Sequence, residues 1–292
     1  MKLGVLIFAT DESVGVAELA TEVEARGFES LWLPEHTHIP TSRESEWYRG
    51  QDLPPEYSRT LDPFVALTVA AAATSRLRVG TGVYLLAQHD PILTAKAVAT
   101  LDLVSAGRFL FGVGLGWNLE EMRDHGVDPA TRRSRVRETA LAMQGLWTQE
   151  KFGYQGRFVS FEESWLWPKP VQQPWPPLIV GGRGGARAFR DIAEYADGWM
   201  PDINMLRTSA LPGLIDSLGD ACRERGRDPV PVTAVGARPD PGRLESLATL
   251  ALDRVIFVLP SAPAAAVFGA LDDISAALTA AGLTEETKGL SR

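Results

Sequence analysis

The residues best suited to proton transfer are His36 and His38, which follow directly after a short apolar run at 30–34. The chain contains only four histidines, and imidazole is the side chain that most readily gains and loses a proton near neutral pH. Glu35 precedes the pair and adds a carboxylate. We therefore expect a role in proton transfer for His36, whereas His38 is more typical of a loop residue that bonds to the backbone.

A second stretch suited to chemistry is the glycine cluster at 181–185, Gly-Gly-Arg-Gly-Gly, which lies between an apolar run and a helical pattern. Glycines let an anionic oxygen approach free backbone N–H groups, and the following helix adds a partial positive charge. Arg183 and Arg187 place long donors beside it. The stretch predicts either a phosphate site for a cofactor or a simple chain reversal, since its spacing matches neither a P-loop nor G-x-G-x-x-G.

Other catalytic chemistries have weaker sequence support. Glu35, His36, His38 and His89 could be drawn as metal ligands, but no zinc signature of the H-x-x-E-H kind occurs, and we expect no metal. No G-x-S-x-G motif marks a serine nucleophile. The only cysteine, Cys222, falls in an apolar helical pattern and is expected in the core.

Composition sets the broad class of the protein. The 292 residues carry a formal net charge of −8, which disfavours a nucleic-acid partner. One cysteine allows no intrachain disulfide and suits a reducing compartment. The apolar N-terminal run is too short for a signal peptide, and no run approaches the length of a membrane span. We expect a cytoplasmic enzyme that acts on a small molecule, away from any membrane.

The pattern of apolar runs predicts the fold. Eight short runs alternate with helical patterns, and this alternation requires a parallel sheet. Eight such units favour a closed α/β (β/α)8 barrel (TIM barrel) over an open doubly wound sheet, whose phosphate loop usually follows its first strand. We predict one domain over residues 1–292, with an insertion at about 118–177 between barrel strands 4 and 5 that contains a hairpin. The predicted strands are 3–8, 30–34, 77–86, 108–117, 178–182, 198–201, 230–235 and 254–259.

The carboxyl ends of barrel strands share one face, and that face holds the site in such folds. His36 and the glycine cluster should therefore meet there. Glycines also mark the ends of the third and fourth strands, where they leave room for a flat ring or allow close packing inside the barrel. The long polar segment 36–60 is expected to cover the site. These strand-end glycines are Gly80, Gly82, Gly112, Gly114 and Gly116.

Several segments, in this order and spacing, resemble the luciferase-like (LLM class) barrel oxidoreductases, and the coenzyme F420-dependent branch in particular. The resemblance extends from about residue 3 to residue 201. The Glu-His pair after the second strand and the loop that ends at 59–63 favour that branch. The matching segments are LWLPEH at 31–36, RTLDPF at 59–64, LRVGTGV at 77–83, GVGLGW at 112–117, WPKPVQ at 167–172, GGRGGARA at 181–188 and ADGW at 196–199.

The resemblance implies a bacterial-luciferase-like barrel that binds F420 or FMN at the strand ends and moves a hydride. It implies that His36 and Glu35 are catalytic, and that the Gly82–Val83 peptide is cis and lies behind the ring. Residues implied in substrate binding are Trp47, Tyr48 and Glu121, for which a structural role is the alternative. Residues implied in cofactor binding are Thr81, Gly82, Val83, Gly114 and Gly116, and, for the phosphate, Gly181, Gly182, Arg183 and Gly184.

Three functions stay open from the sequence. The first is an oxidoreductase that transfers a hydride between F420 and a small organic substrate. The second is an FMN-dependent monooxygenase that uses O2, and the third is a barrel that binds a ligand without turnover. Family resemblance also implies a homodimer.

Overall fold

The computed structural model describes residues 1–47, 51–206 and 208–283. Eight parallel strands in these ranges form one sheet, and two further strands form a separate antiparallel hairpin. The strands are β1 (Lys2–Leu6), β2 (Ser30–Leu33), β3 (Arg78–Thr81), β4 (Phe109–Val113), β5 (Phe152–Gln155), β6 (Ser160–Ser164), β7 (Leu178–Gly181), β8 (Gly198–Met200), β9 (Thr233–Ala237) and β10 (Arg254–Val258).

The sheet curls into a nearly closed barrel. Its order is β8-β7-β4-β3-β2-β1-β10-β9, and every neighbouring pair is parallel. The two ends of this order meet, because Trp199 N–H donates to Pro231 O at 3.0 Å and Val235 N–H donates to Pro201 O at 2.9 Å. The predicted (β/α)8 fold is therefore confirmed, and the open doubly wound alternative is wrong.

Helices connect the strands, and three of them begin at an Asp-Pro pair. Asp62, Asp90 and Asp240 each accept hydrogen bonds from backbone N–H groups of the first helical turn, while proline occupies the first helical position. The helices are α1 (Val16–Ala25), α2 (Pro63–Ala73), α3 (Pro91–Val104), α4 (Leu119–Asp124), α5 (Arg132–Thr148), α6 (Ala186–Tyr195), α7 (Leu211–Arg223), α8 (Pro241–Ala248) and α9 (Ala264–Ala280). In the described ranges, no helix has both the length and the apolar character needed to cross a membrane.

The segment between β4 and β7 carries α4, α5 and the β5–β6 hairpin, which agrees with the predicted hairpin in this insertion. Helix α5 packs against α3 and α6, so it also serves as a barrel helix. Its neighbour α4 is short, and its first turn reaches the carboxyl end of the barrel, where it supplies Glu121.

Strands β3 and β4 end earlier than the sequence predicts. The predicted strands extend to 86 and 117, whereas the observed ones stop at Thr81 and Val113. A cis peptide between Gly82 and Val83 turns the chain at the first point. Beyond it only one isolated bridge, between Tyr84 and Val113, continues the pairing. Tyr84, Leu85 and Leu86, which follow the end of β3, are nevertheless buried.

Glycines inside the barrel make room for one large side chain. Trp32 on β2 is fully buried, and its indole N–H donates to Ser30 Oγ at 2.8 Å. A Cβ atom at Gly80 would lie 2.6 Å from the Trp32 ring, and one at Gly112 would lie 1.9 Å from Thr81 O. These positions support the close-packing interpretation of the strand glycines, since the space is already filled by protein atoms.

Candidate active site

His36 and Glu121 form a buried pair at the barrel mouth. His36 follows β2, and Glu121 lies in the first turn of α4, 85 residues later. His36 Nδ1 is 2.7 Å from Glu121 Oε2, and the Glu121 side chain is fully buried. The other carboxylate oxygen accepts the backbone N–H of Thr37 at 3.0 Å. The pair is thus held in a fixed orientation by the segment that follows β2.

The indole of Trp117 fixes the tautomer of His36. Trp117 Nε1 lies 3.2 Å from His36 Nε2, and an indole nitrogen can only donate a hydrogen bond. Nε2 therefore accepts, and Nδ1 carries the proton that it donates to Glu121. This arrangement leaves on Nε2 a lone pair that could take a proton from a ligand that displaces the indole.

A polar network connects Glu121 to the surface. Thr37 Oγ1 lies 3.3 Å from Glu121 Oε1, 2.7 Å from His125 Nε2 and 2.9 Å from His38 Nδ1. Thr37 donates its one hydroxyl hydrogen to Glu121, so the ring nitrogens of His125 and His38 donate to Thr37 Oγ1. Burial, together with nearby His89 and His38, lowers the pKa of His125. All four histidines therefore lie in one region. Among the described residues, no group of three or more His, Cys, Asp or Glu side chains is placed to hold a metal ion.

Glu35 faces away from the His36–Glu121 pair. Its Oε2 accepts the backbone N–H of Leu85 at 2.6 Å, and its Oε1 lies 2.8 Å from His89 Nε2. Both partners belong to the segment after β3. The carboxylate of Glu35 therefore ties that segment to the end of β2.

Val83 packs where three strand ends meet. The Gly82–Val83 peptide is cis, as the resemblance implied. A Cβ atom at Gly114 would lie 2.5 Å from Val83 Cγ2, and one at Gly181 would lie 2.8 Å from Val83 Cγ1. Thr81 donates its hydroxyl hydrogen to Gly112 O at 2.7 Å. The predicted cofactor residues of β3, β4 and β7 are thus brought into contact through one valine side chain.

The glycine loop after β7 has an open backbone. Gly182, Gly184 and Gly185 have φ values of 144°, 82° and 104°, in the region that favours glycine. A Cβ atom at Gly182 or Gly185 would meet nothing within 4 Å. Helix α6 begins directly afterwards, so this loop has the features of an anion site at a helix N-terminus. A cavity of about 210 Å³ lies against it, and its lining includes Gly181, Gly182, Gly184, Arg183 and Arg133.

A larger cavity of about 1010 Å³ connects the two ends of the candidate site. Trp117, which bonds to His36, and Arg183 of the glycine loop both line it. Trp47 and Tyr57, from the long segment after β2, stand edge to face with ring centroids 5.6 Å apart and form another wall. Tyr48, predicted to bind substrate, lies outside the described residues.

Of the predicted site residues, Trp47 and Arg183 line the large cavity, and Gly181, Gly182 and Gly184 line the small one together with Arg183. Sequence reasoning missed several of the partners found here. Trp117 was noted only as part of a glycine motif, and Thr37 and His125 were not assigned any role. Gly116 has φ 77° and a Cβ position 2.7 Å from Met122 Cε, so it allows a tight turn before Trp117. Asp202, Arg238 and Arg243 also line the large cavity and lie beyond the segments that carried the resemblance.

The family model of luciferase-like monooxygenases matches residues 3–239. The chain therefore belongs to the luciferase-like monooxygenase family. An uncharacterised protein of Mycobacterium tuberculosis is 44% identical over 264 residues, which cover 89% of this chain and 92% of that protein.

Solved structures agree with this fold. Monooxygenase RslO1 from Streptomyces bottropensis superposes with a TM-score of 0.81 at 19% identity, over 96% of this chain and 99% of that one. An F420-dependent secondary alcohol dehydrogenase in complex with an F420-acetone adduct gives a TM-score of 0.76 at 18% identity, over 96% and 98%. These identities are low, and the two matches establish the barrel architecture only.

Proposed function

We propose that this protein is an oxidoreductase that transfers a hydride between coenzyme F420 and a small organic substrate. The observation that carries the proposal is the single cavity lined both by Trp117, the partner of His36, and by Arg183 of the glycine loop. A ligand in this cavity lies against Arg183, and it reaches the imidazole of His36 where it displaces the indole of Trp117. An F420-dependent enzyme is among the structural neighbours, and the chain shares its barrel.

The chain offers suitable groups for such a cofactor. F420 supplies a deazaflavin ring that exchanges a hydride and a tail that carries a phosphate. The guanidinium of Arg183 and the backbone of Gly184 and Gly185 at the start of α6 suit the phosphate, because donors at a helix N-terminus attract an anion and a cavity lies against the loop. The N–H of Gly182 does not contribute, because it already donates to Met200 O at 3.1 Å. The Gly82–Val83 turn, with Thr81, Gly114, Gly116 and Gly181 around it, suits the ring, as the resemblance implies.

His36 has the geometry for the accompanying proton transfer. An alcohol that loses a hydride from carbon must also lose its hydroxyl proton, and a carbonyl that gains a hydride must gain a proton. His36 Nε2 accepts a proton in the first direction and returns it in the second, while Glu121 stabilises the imidazolium through Nδ1. We assign Glu35, whose carboxylate bonds to the segment after β3, a positioning role rather than contact with substrate. Trp47 and Tyr48 are proposed to shape the substrate side.

The alternative within the family is an FMN-dependent monooxygenase, and a monooxygenase is among the structural neighbours. The test is absorbance titration of the purified protein with F420 and with FMN. We expect saturable binding of F420 and weaker binding of FMN. Tight FMN binding without F420 binding would reverse this order, and binding of neither would favour a barrel that holds another ligand without turnover.

Arg183→Ala should weaken cofactor binding about tenfold or more, because a charge-assisted hydrogen bond contributes roughly 1.5–3 kcal/mol. Turnover at saturating cofactor should change little, since Arg183 acts on the phosphate and not on the reacting atoms. Fluorescence titration of F420 measures the affinity. Arg190→Ala is the matched control, because Arg190 donates to Ala186 O within the same helix. Equal cofactor affinity in Arg183→Ala and Arg190→Ala would remove Arg183 from the site.

We also propose a homodimer, supported by an apolar face on α2 and α3, which pack side by side. Val65 on α2 and Leu93 on α3 are 69% and 73% exposed, and Val69 and Ile92 lie on the same helices. Two copies could bury this face against each other.

The double variant Val65→Glu/Leu93→Glu should run as a monomer in light scattering after size exclusion, because it puts two carboxylates in the proposed interface. Ala266→Glu, an exposed position on α9, should leave the mass of the wild type unchanged. A wild type that is already monomeric, or a double variant with unchanged mass, would contradict this interface.

A further inference from the structure

Two arginines stand at the barrel mouth in a part of the cavity that the cofactor proposal does not use. Arg238 directly follows β9, and Arg243 lies in the first turn of α8. Both line the cavity of about 1010 Å³. Their positive charge is notable because the whole chain has a formal net charge of −8.

These arginines have no evident structural use in the described part of the chain. No carboxylate of residues 1–47, 51–206 or 208–283 forms an ion pair with either guanidinium. Arg243 Nε is buried and has no hydrogen-bond partner among these residues. Asp240 is nearby, but its Oδ1 caps α8 by accepting the Arg243 backbone N–H at 2.8 Å. Buried donors are nearly always paired, so an external acceptor would complete this site.

The third cationic residue of the cavity, Arg183, differs from these two. It lies in the glycine loop after β7 and interacts electrostatically with Asp202, a half-buried carboxylate after β8. Burial raises the pKa of Asp202, while the charge of Arg183 opposes that rise. Arg183 therefore has a carboxylate close to it, whereas Arg238 and Arg243, called the arginine pair below, form no ion pair with the described residues.

The order of the strands around the barrel places the glycine loop and the two arginines on different halves of the barrel mouth. From β2, which carries His36, the path through β3 and β4 reaches β7 and the glycine loop. The opposite path, through β1 and β10, reaches β9 and the arginine pair. A cofactor that extends from the glycine loop to Val83 occupies the first half of the mouth. The second half, with Arg238 and Arg243, then stays open to the substrate.

We propose that the substrate carries an anionic group, a carboxylate or a phosphate, and that Arg238 and Arg243 bind it while the reacting carbon lies near His36. This inference rests on the proposed function. The planar guanidinium groups suit an anion with two or three oxygens, which they can bind in a bidentate manner. The far end of the F420 tail also carries carboxylates, so the experiment must distinguish an anion of the substrate from the carboxylates of the cofactor.

The probe is succinate, titrated by calorimetry into the F420-loaded protein, with dimethyl succinate as its uncharged counterpart. We expect saturable binding of succinate and none of the diester. The variant R238Q/R243Q should bind succinate about tenfold more weakly or worse. The control R76Q/R223Q removes the same charge from exposed arginines at the opposite end of the barrel and should behave like the wild type.

Two results would overturn the inference. If the wild type does not bind succinate, or if R238Q/R243Q binds it as tightly as the wild type, Arg238 and Arg243 do not form an anion site. Loss of F420 affinity in R238Q/R243Q assigns the arginines to the cofactor tail and not to the substrate. If the protein binds no F420 at all, the proposed function fails by itself. The succinate titration then proceeds on the FMN-loaded or ligand-free protein and still tests the arginine pair.

Discussion

The variant His36→Ala should lower turnover with any accepted substrate by about 10²- to 10⁴-fold, the usual contribution of a general acid–base residue. The imidazole is buried, its tautomer is fixed by Trp117, and its Nδ1 lies 2.7 Å from Glu121 Oε2. Alanine removes the proton acceptor without touching the glycine loop. Single-turnover absorbance of F420 measures the hydride step, and fluorescence titration measures cofactor affinity, which should change little.

Glu121→Gln tests whether Glu121 orients the imidazole ring of His36. Glutamine preserves the shape of the side chain, but its NH2 group can face His36 Nδ1. This favours the tautomer that carries its proton on Nε2, so we expect turnover to fall about 10- to 10³-fold. The exposed neighbour Asp124 bonds to His38 and is the matched control, so Asp124→Asn should retain most of the activity. Unchanged turnover in His36→Ala would instead remove His36 from the proton transfer.

The sequence predicted the barrel because its signals are local. Apolar runs identify strands, and each Asp-Pro pair identifies a helix start within a few residues. The ends of β3 and β4 were predicted less well. Their apolar pattern continues past Thr81 and Val113, because residues beyond β3 such as Tyr84, Leu85 and Leu86 are buried without belonging to the strand. Burial alone therefore does not mark where the ladder ends.

The sequence predicted at which end of the barrel His36 and the glycine loop lie, but it did not predict the contacts that they make. Glu35 and His36 are adjacent, and the side chains of adjacent residues in an extended segment point to opposite sides. This rule could have indicated that only one of them faces the cavity; in the structure Glu35 bonds to Leu85 N and His36 to Glu121. The contact between His36 and Trp117 depends on long-range packing. Arg238 and Arg243 were missed because they lie beyond the recognisable segments.

Gly112→Ala should reduce the free energy of unfolding by about 2–4 kcal/mol, the second large effect expected in this molecule. The new Cβ atom would lie 1.9 Å from Thr81 O, a backbone atom of the neighbouring strand that cannot move alone. Any shift that relieves this clash also disturbs the 2.7 Å hydrogen bond from Thr81 Oγ1 to Gly112 O. The midpoint of urea unfolding measures the loss.

Gly269→Ala separates this packing effect from the general effect of replacing glycine. Gly269 lies within α9, and a Cβ atom there meets nothing within 4 Å, so alanine should stabilise the helix by about 0.5–1 kcal/mol. The two substitutions add the same methyl group and should have opposite signs. If Gly112→Ala were as stable as the wild type, the strand glycine would not be required by the Thr81 contact. The interpretation that glycines there leave space for a flat cofactor ring would then regain support, and cofactor affinity in that variant would measure it.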